Sequence, residues 1–195
     1  HTGTLDPLAT GVLILCTGKA TKRIEELQNH TKEYVATLKL GATTPSFDME
    51  HPIDATYPTA HITMETIEQV LKNFIGEIKQ IPPAYSACKV DGKRAYKMMR
   101  KGEEVNLKEK TLRIDEIEVI SFDKDQMRLT LRVVCSKGTY IRALARDIGV
   151  ALNSGAYLVE LCRTRVGNTK IENCITLDGF QDWLDKQDIE VYQPA

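Results

Sequence analysis

Long apolar runs are missing from this 195-residue sequence. No window approaches the roughly 18 consecutive apolar residues of a membrane-spanning helix. The first residues also lack the basic-then-apolar layout of a secretory signal. Cysteine is sparse: Cys16, Cys88, Cys135, Cys162 and Cys174 are odd in number, widely spaced and free of any Cys-x-x-Cys pair. That pattern argues against a disulfide framework and against a structural zinc site. A reduced cytoplasmic protein with mostly buried thiols is the expectation. His1, His30, His51 and His61 have no metal-ligand spacing, so no metal site is inferred. Neither a P-loop nor a Gly-x-Gly-x-x-Gly fingerprint occurs.

Net charge is nearly absent too, at −1. Its distribution is uneven. Between Ser86 and Gly102, six cations face one acid, Asp91; between Glu172 and Ala195, six acids face one cation, Lys186. A whole-chain charge near zero therefore does not exclude a polyanionic partner, because local clustering decides that. The apolar share of 42% and charged share of 27% are those of an ordinary globular domain. The length suits one domain with a small appendage.

The patterning predicts α/β structure. Val12–Cys16 reads as a short buried strand, Ala20–Gln28 as a short helix, and Glu33–Leu40 as a half-buried alternating strand ending at Gly41. Residues 42–60 read as an exposed loop. A helix follows from Met64 to Ile75, with Thr63 as N-cap, Ile67, Val70, Leu71 and Phe74 as its stripe, and Gly76 as its stop. Pro82-Pro83 extends the chain, Asp91-Gly92 signals a hairpin, and Ala95–Arg100 reads as a short basic helix. Thr111–Phe122 and Met127–Cys135 form an antiparallel hairpin. A helix from Tyr140 to Leu152, a strand from Tyr157 to Arg165 and an acidic helix from Leu177 to Lys186 complete the chain. Strands and helices do not alternate regularly, so the sheet is expected to be mixed and largely antiparallel, flanked by helices.

Few residues suggest chemistry by themselves. Asp6 stands before Pro7 between Gly3 and Gly11. Proline pushes it toward extended backbone, and the glycines permit turns that present one carboxylate rigidly. Such a group can be a nucleophile, a base or a partner for a developing cation; the plainer alternative is a turn cap. Tyr34 is either core or a stacking platform for a nucleobase. Lys22 is either solvated or functional. Arg142 stands in a helical first turn, where a cation opposes the macrodipole and a carboxylate or phosphate would compensate it. The alternative is a surface arginine with a local acidic neighbour. Tyr85 and Tyr96 among six cations suit a polyanion with unstacked bases, or else a solvated helix and hairpin.

Together these strings are more specific. HTGTLDPLATGVLILCTGKATK, KEYVATLKLGATT, PPAYSACKVDGKRAYKMMRKGEEV, VVCSKGTYIRALARDIG and LVELCRTRVG, in that order, resemble the TruB family of tRNA pseudouridine synthases up to about Gly167. The resemblance implies the pseudouridine synthase fold, no metal or organic cofactor, and isomerisation of one T-loop uridine of tRNA, conventionally position 55. It implies that Asp6 is the essential aspartate, that Tyr34 stacks on the target base and serves in proton removal, and that Arg142 pairs with Asp6. Lys22 would line the site, Leu161 would form an apolar wall, and His1 would pack among the bases of the opened loop. Tyr140 and Asp48 join the substrate-binding set. Lys89, Lys93, Arg94, Lys97 and Arg100 would belong to a thumb-like insertion, about residues 82–108, that clasps RNA.

The expected organisation is a single catalytic domain over residues 1–195. It would lack the start of the family pattern and the RNA-binding PUA appendage. Pro45 departs from the commoner acidic residue of its loop. A monomer binding the T-arm of one tRNA, off the membrane, is expected. The runners-up are a guide-RNA-dependent relative, a non-catalytic tRNA-folding factor and a retaining hydrolase using Asp6.

Overall fold

The computed structural model describes residues 1–86, 88–90, 93–99, 101–102 and 105–187, with the side chains of Lys89, Val90, Lys93 and Arg94 left aside. Its elements in chain order are β1 (Ala9–Gly11), a 3-10 turn (Gly18–Arg23), α1 (Ile24–Gln28), β2 (Lys32–Leu40), β3 (Ala42–Thr43) and β4 (Ala55–Thr56). Then come α2 (Met64–Lys72), β5 (Gly76–Gln80), β6 (Lys89–Val90), β7 (Lys93–Arg94), α3 (Ala95–Met99) and β8 (Lys110–Asp123). The chain closes with β9 (Arg128–Cys135), α4 (Ile141–Ala151), β10 (Ala156–Val166), β11 (Thr169–Lys170), a 3-10 turn (Ile171–Asn173) and α5 (Phe180–Leu184).

Seven strands form the main sheet, in the order β1-β10-β2-β9-β8-β5, with β11 paired to β10. Every pairing is antiparallel except β1 with β10. The architecture is thus mixed α/β with a mainly antiparallel sheet, as the patterning implied. Central β2 buries Tyr34, Ala36, Leu38 and Leu40 on one face. Against that face pack Ile67 and Leu71 of α2 and Ile141, Leu144, Ala145 and Ile148 of α4. The other face is open and carries charge, the usual arrangement for an antiparallel sheet covered on one side. There Arg132 reaches Glu33 (3.1 Å), Glu116 (2.5 Å) and Glu118 (2.8 Å) across three strands. Exposed pairs of this kind contribute about 0–1 kcal/mol each.

Several elements differ from their sequence patterns. Val12–Cys16 is not a strand: the pairing strand is Ala9–Gly11, and in the following run only Val12 is buried. At a sheet edge, the alternate residues Leu13 and Leu15 face outward. Residues 42–60 are not simply an exposed loop. They contain the β3–β4 pair and bury Ala42, Thr44, Ser46 and Asp48. Helix α2 has its Thr63 cap, reciprocated by Thr66, but ends at Lys72, and Gly76 (φ +99°) opens β5 instead. Strand β5 itself, with a charged outer face, had no clear signal. The last helix is shorter than its acidic pattern, covering only Phe180–Leu184. Only Cys88 and Cys135 are buried: Cys16 follows the edge strand β1, Cys162 is on β10 at the parity opposite to buried Leu161 and Arg163, and Cys174 is exposed after the second 3-10 turn. Strands β6 and β7 pair antiparallel around Asp91-Gly92, which with Arg100 lies outside the described residues.

Helix α4 seats tightly on β10 through Gly149. A Cβ there would lie 2.3 Å from the Ala156 nitrogen and 2.6 Å from the Gly155 carbonyl carbon. Gly149→Ala should therefore destabilise the fold by about 1–3 kcal/mol in urea unfolding. Val150→Ala, one residue on and 65% exposed, should shift it by no more than about 0.5 kcal/mol.

Candidate active site

Asp6 is held by its own loop and by β10. The Ala9 N–H donates to the Asp6 carbonyl (2.9 Å), closing a turn, and Thr2 donates to the Ile14 carbonyl (3.1 Å). Beneath the loop lies Arg163, 3% exposed, on the inward face of β10. Its Nε donates to the Val12 carbonyl (2.8 Å) and its Nη2 to the Gly3 carbonyl (3.2 Å), so one side chain pins both arms of the loop. Gly11 (φ +110°) makes this approach possible: a Cβ there would lie 2.2 Å from the Arg163 carbonyl oxygen.

Arg142 arrives from the first turn of α4, 3% exposed. Its Nε donates to Asp6 Oδ2 (2.8 Å) and its Nη2 to Asp6 Oδ1 (2.9 Å), a two-pronged pair. Nη2 also donates to the Tyr85 carbonyl (3.0 Å) and Nη1 to the Ser46 carbonyl (3.1 Å). Asp48, buried, stands 3.4 Å from Nη1. A buried cation at a helix N-terminus is unfavourable, and two carboxylates with two carbonyls offset it here. Every guanidinium nitrogen is engaged, so Arg142 can orient Asp6 but has little capacity left for anything else.

A cavity of about 430 Å³ opens in front of Asp6, lined also by Tyr34, Leu161, Tyr140, Lys32, Arg163 and the Lys137-Gly138-Thr139 turn. Its size falls within the range of small-ligand pockets. Burial pushes the Tyr34 phenol up to about 12. Burial does the same to Tyr140, also to about 12. Both are neutral phenols at pH 7. Tyr34 therefore offers the cavity an aromatic face and an O–H rather than a ready base. Lys32 donates to the carbonyls of Gln28 and His30, each at 2.5 Å, and burial lowers its pKa.

The sequence-derived residues divide by position. Asp6, Tyr34, Tyr140 and Leu161 surround the cavity, and Arg142 stands behind Asp6. Asp48 lies one layer deeper, against Arg142 rather than on an outer surface. His1 is exposed at the start of the loop, its Nδ1 accepting from the Gly3 N–H at 3.4 Å. Lys22 is exposed in the 3-10 turn and is not among the cavity-lining residues. Lys97 is exposed on α3, Lys89 lies in β6, and Lys93 and Arg94 lie in β7. Arg163 and Lys32 were missed. Arg163 carried a signal, as a cation on the inward parity of an alternating strand.

The raised Tyr34 pKa sets a pH window. The folded state keeps the phenol protonated to about 12, whereas the unfolded chain ionises it near 10. The Tyr34 contribution to stability is thus intact below pH 10 and is lost as pH rises from 10 toward 12. Urea unfolding across that window should show the fall, and Tyr34→Phe should reduce it by about 2 kcal/mol.

Residues 1–141 match the family model of the TruB family pseudouridylate synthase N-terminal domain. Residues 142–193 match that of the tRNA pseudouridylate synthase B C-terminal domain. The boundary falls inside the first turn of α4, although β10, beyond it, pairs with β1 and β2 in one sheet. A protein named tRNA pseudouridine synthase B from Phocaeicola vulgatus is 68% identical over 190 residues, covering 97% of this chain and 80% of its own length. Its namesake from Flavobacterium johnsoniae is 49% identical over 184 residues, covering 94% of this chain and 80% of its own length. Among solved structures, a Cbf5-Nop10-Gar1 complex matches with a TM-score of 0.70 and 33% identity, over 97% of this chain and 48% of that one. An H/ACA RNP bound to a substrate RNA containing 2'-deoxyuridine matches at 0.66 and 31%, over 97% and 46%. The two family models and the high-identity relatives agree: this chain belongs to the TruB family of pseudouridylate synthases.

Proposed function

We propose that this chain isomerises a uridine of tRNA to pseudouridine, and that its target is the T-loop uridine at conventional position 55. The observation that carries the reading is Asp6, clamped at both oxygens by Arg142 at the mouth of a cavity walled by Tyr34 and Leu161. The reaction breaks the bond from C1′ of the sugar to N1 of uracil, turns the base, joins C1′ to C5, gives up the C5 proton and takes up a proton at N1. Cleavage leaves a cation-like sugar centre, which a fixed carboxylate stabilises or attacks, as in glycoside hydrolysis. The uracil leaves with anionic character and is recaptured, so no second carboxylate acid is required.

Each surrounding residue then has a task. Tyr34 stacks on the flipped base, and Leu161 closes the opposite side against water. Flipping a base costs a few kcal/mol, and stacking returns about 1–3 kcal/mol per base. The basic segment with Lys97 supplies contacts to phosphates of the T-arm. The chain would act as a monomer in the cytoplasm; among the described residues no helix is long and apolar enough to cross a membrane. The stand-alone enzyme is favoured over a guided relative because the relatives named tRNA pseudouridine synthase B are 68% and 67% identical, against 33% for the Cbf5 complex.

Two predictions test this function. With an unmodified T-arm hairpin and with whole tRNA, carbodiimide-blocked primer extension should report pseudouridine at the single T-loop position. Asp6→Asn should lower the rate at least about 10³-fold with RNA binding kept; a variant within tenfold of the unsubstituted rate would remove Asp6 from the chemistry. Arg142→Lys keeps the charge but loses the fork. It should cost about 10²-fold in kcat by letting Asp6 move, read as single-turnover rate at saturating enzyme.

A further inference from the structure

Gln80 is the last residue of β5 and is 1% exposed. Its Oε1 accepts from the backbone N–H of Tyr140 at 2.9 Å, and its Nε2 donates to the Tyr140 carbonyl at 3.2 Å. The amide thus pairs with one backbone residue on both sides, as a neighbouring strand would. Tyr140 is the N-cap of α4, and no side-chain capping bond comes from Tyr140 itself. Gln80 supplies from another element the satisfaction that a helix start needs. Arg142 lies two residues further on.

Gln80 also marks the place where the chain leaves the sheet. Its register partner in β8 is Lys110. The basic excursion therefore departs at Gln80 and returns at Lys110, and the Lys110 ammonium lies 5.8 Å from the centre of the Tyr140 ring. Both feet of the excursion stand on Tyr140. Its first stretch is tied to the same helix twice more, through Arg146 Nη2 to the Ile81 carbonyl (3.1 Å) and Arg142 Nη2 to the Tyr85 carbonyl (3.0 Å).

We propose that Gln80 is a positioning residue for the isomerisation, fixing the first turn of α4 to the root of the basic excursion so that seating RNA and aligning Arg142 with Asp6 are one mechanical event. The inference rests on the function proposed above. It explains why an amide stands here rather than an acid. Tyr140 presents both a donor and an acceptor, and only a group that is both can answer it.

Two variants separate positioning from bulk stability. Gln80→Leu leaves the Tyr140 N–H unpartnered and its carbonyl with the Leu144 N–H alone (3.0 Å). Gln80→Glu accepts from the N–H but faces the carbonyl with a second acceptor until it is protonated; its O–H then donates as the amide does. Single-turnover rates on tRNA at saturating enzyme, and tRNA Kd, are measured from about pH 5.5 to about pH 8.5, bracketing the titration of a buried glutamate. Each is taken as a ratio to the unsubstituted chain at the same pH, which removes titration of other groups. Gln80→Leu should be about 10- to 100-fold slower at every pH, with Kd little changed. Gln80→Glu should be slow at high pH and recover toward the unsubstituted rate as pH falls. A loss carried wholly in Kd overturns the proposal, as does a Gln80→Glu ratio that stays flat with pH. Should Gln80→Leu fail to fold, the Gln80→Glu profile alone decides. An unsubstituted chain that binds tRNA without forming pseudouridine would instead overturn the function itself, and this inference with it.

Discussion

A buried guanidinium at the wrong end of a helix dictates much of this structure. Arg142 sits where the α4 dipole repels it and where water cannot reach it. Its presence there obliges the chain to bring up Asp6, Asp48 and two backbone carbonyls from three distant segments. Each of those segments is then constrained in turn. The loop around Ser46 must fold inward, although its composition is that of a surface loop. The stretch after Pro83 must lie against α4 before it can reach out. Asp6 receives its orientation as a by-product of satisfying Arg142.

The open face of the sheet follows a different logic. Arg132, bridging Glu33, Glu116 and Glu118, adds little energy at such exposure. What it adds is register. A one-residue slip of β9 would send Arg132 into the apolar face and Leu129, Leu131 and Val133 into solvent. The covered face then keeps Tyr34 turned toward the cavity.

How much of this was legible in the residues depends on the kind of signal. Period-two alternation in β2 and β9 and the three-four spacing in α2 marked their elements well, because burial on one face wrote them. Val12–Cys16 misled because an apolar run looks the same at a sheet edge as at its centre. Strand β5 escaped because only Ile78 of its five residues is a large apolar side chain. At the site, Asp6, Tyr34, Arg142 and Leu161 were legible mainly through family resemblance; Asp6, Tyr34 and Leu161 line one cavity and Arg142 stands behind Asp6. Asp48 was legible as a residue but not as a support, since nothing local says that a carboxylate will face inward. Lys22 was expected at the cavity, yet its place in the 3-10 turn is exposed. Lys32 and Arg163 lay hidden inside strands whose alternation was read only for apolar residues.

The parallel pairing of β1 with β10 joins the first strand of the chain to one near its end, Ala9 opposite Leu161. Arg163, which pins the Asp6 loop, lies on that same late strand, and Arg142 is 136 residues from Asp6. During synthesis, then, the loop bearing Asp6 leaves the ribosome before its clamp, Arg142 of α4, and its floor, Arg163 of β10. Arg163 can pin that loop only once β10 has slotted between β1 and β2. Chain order thus separates the making of the Asp6 loop from its fixing, which waits on Arg142 and Arg163.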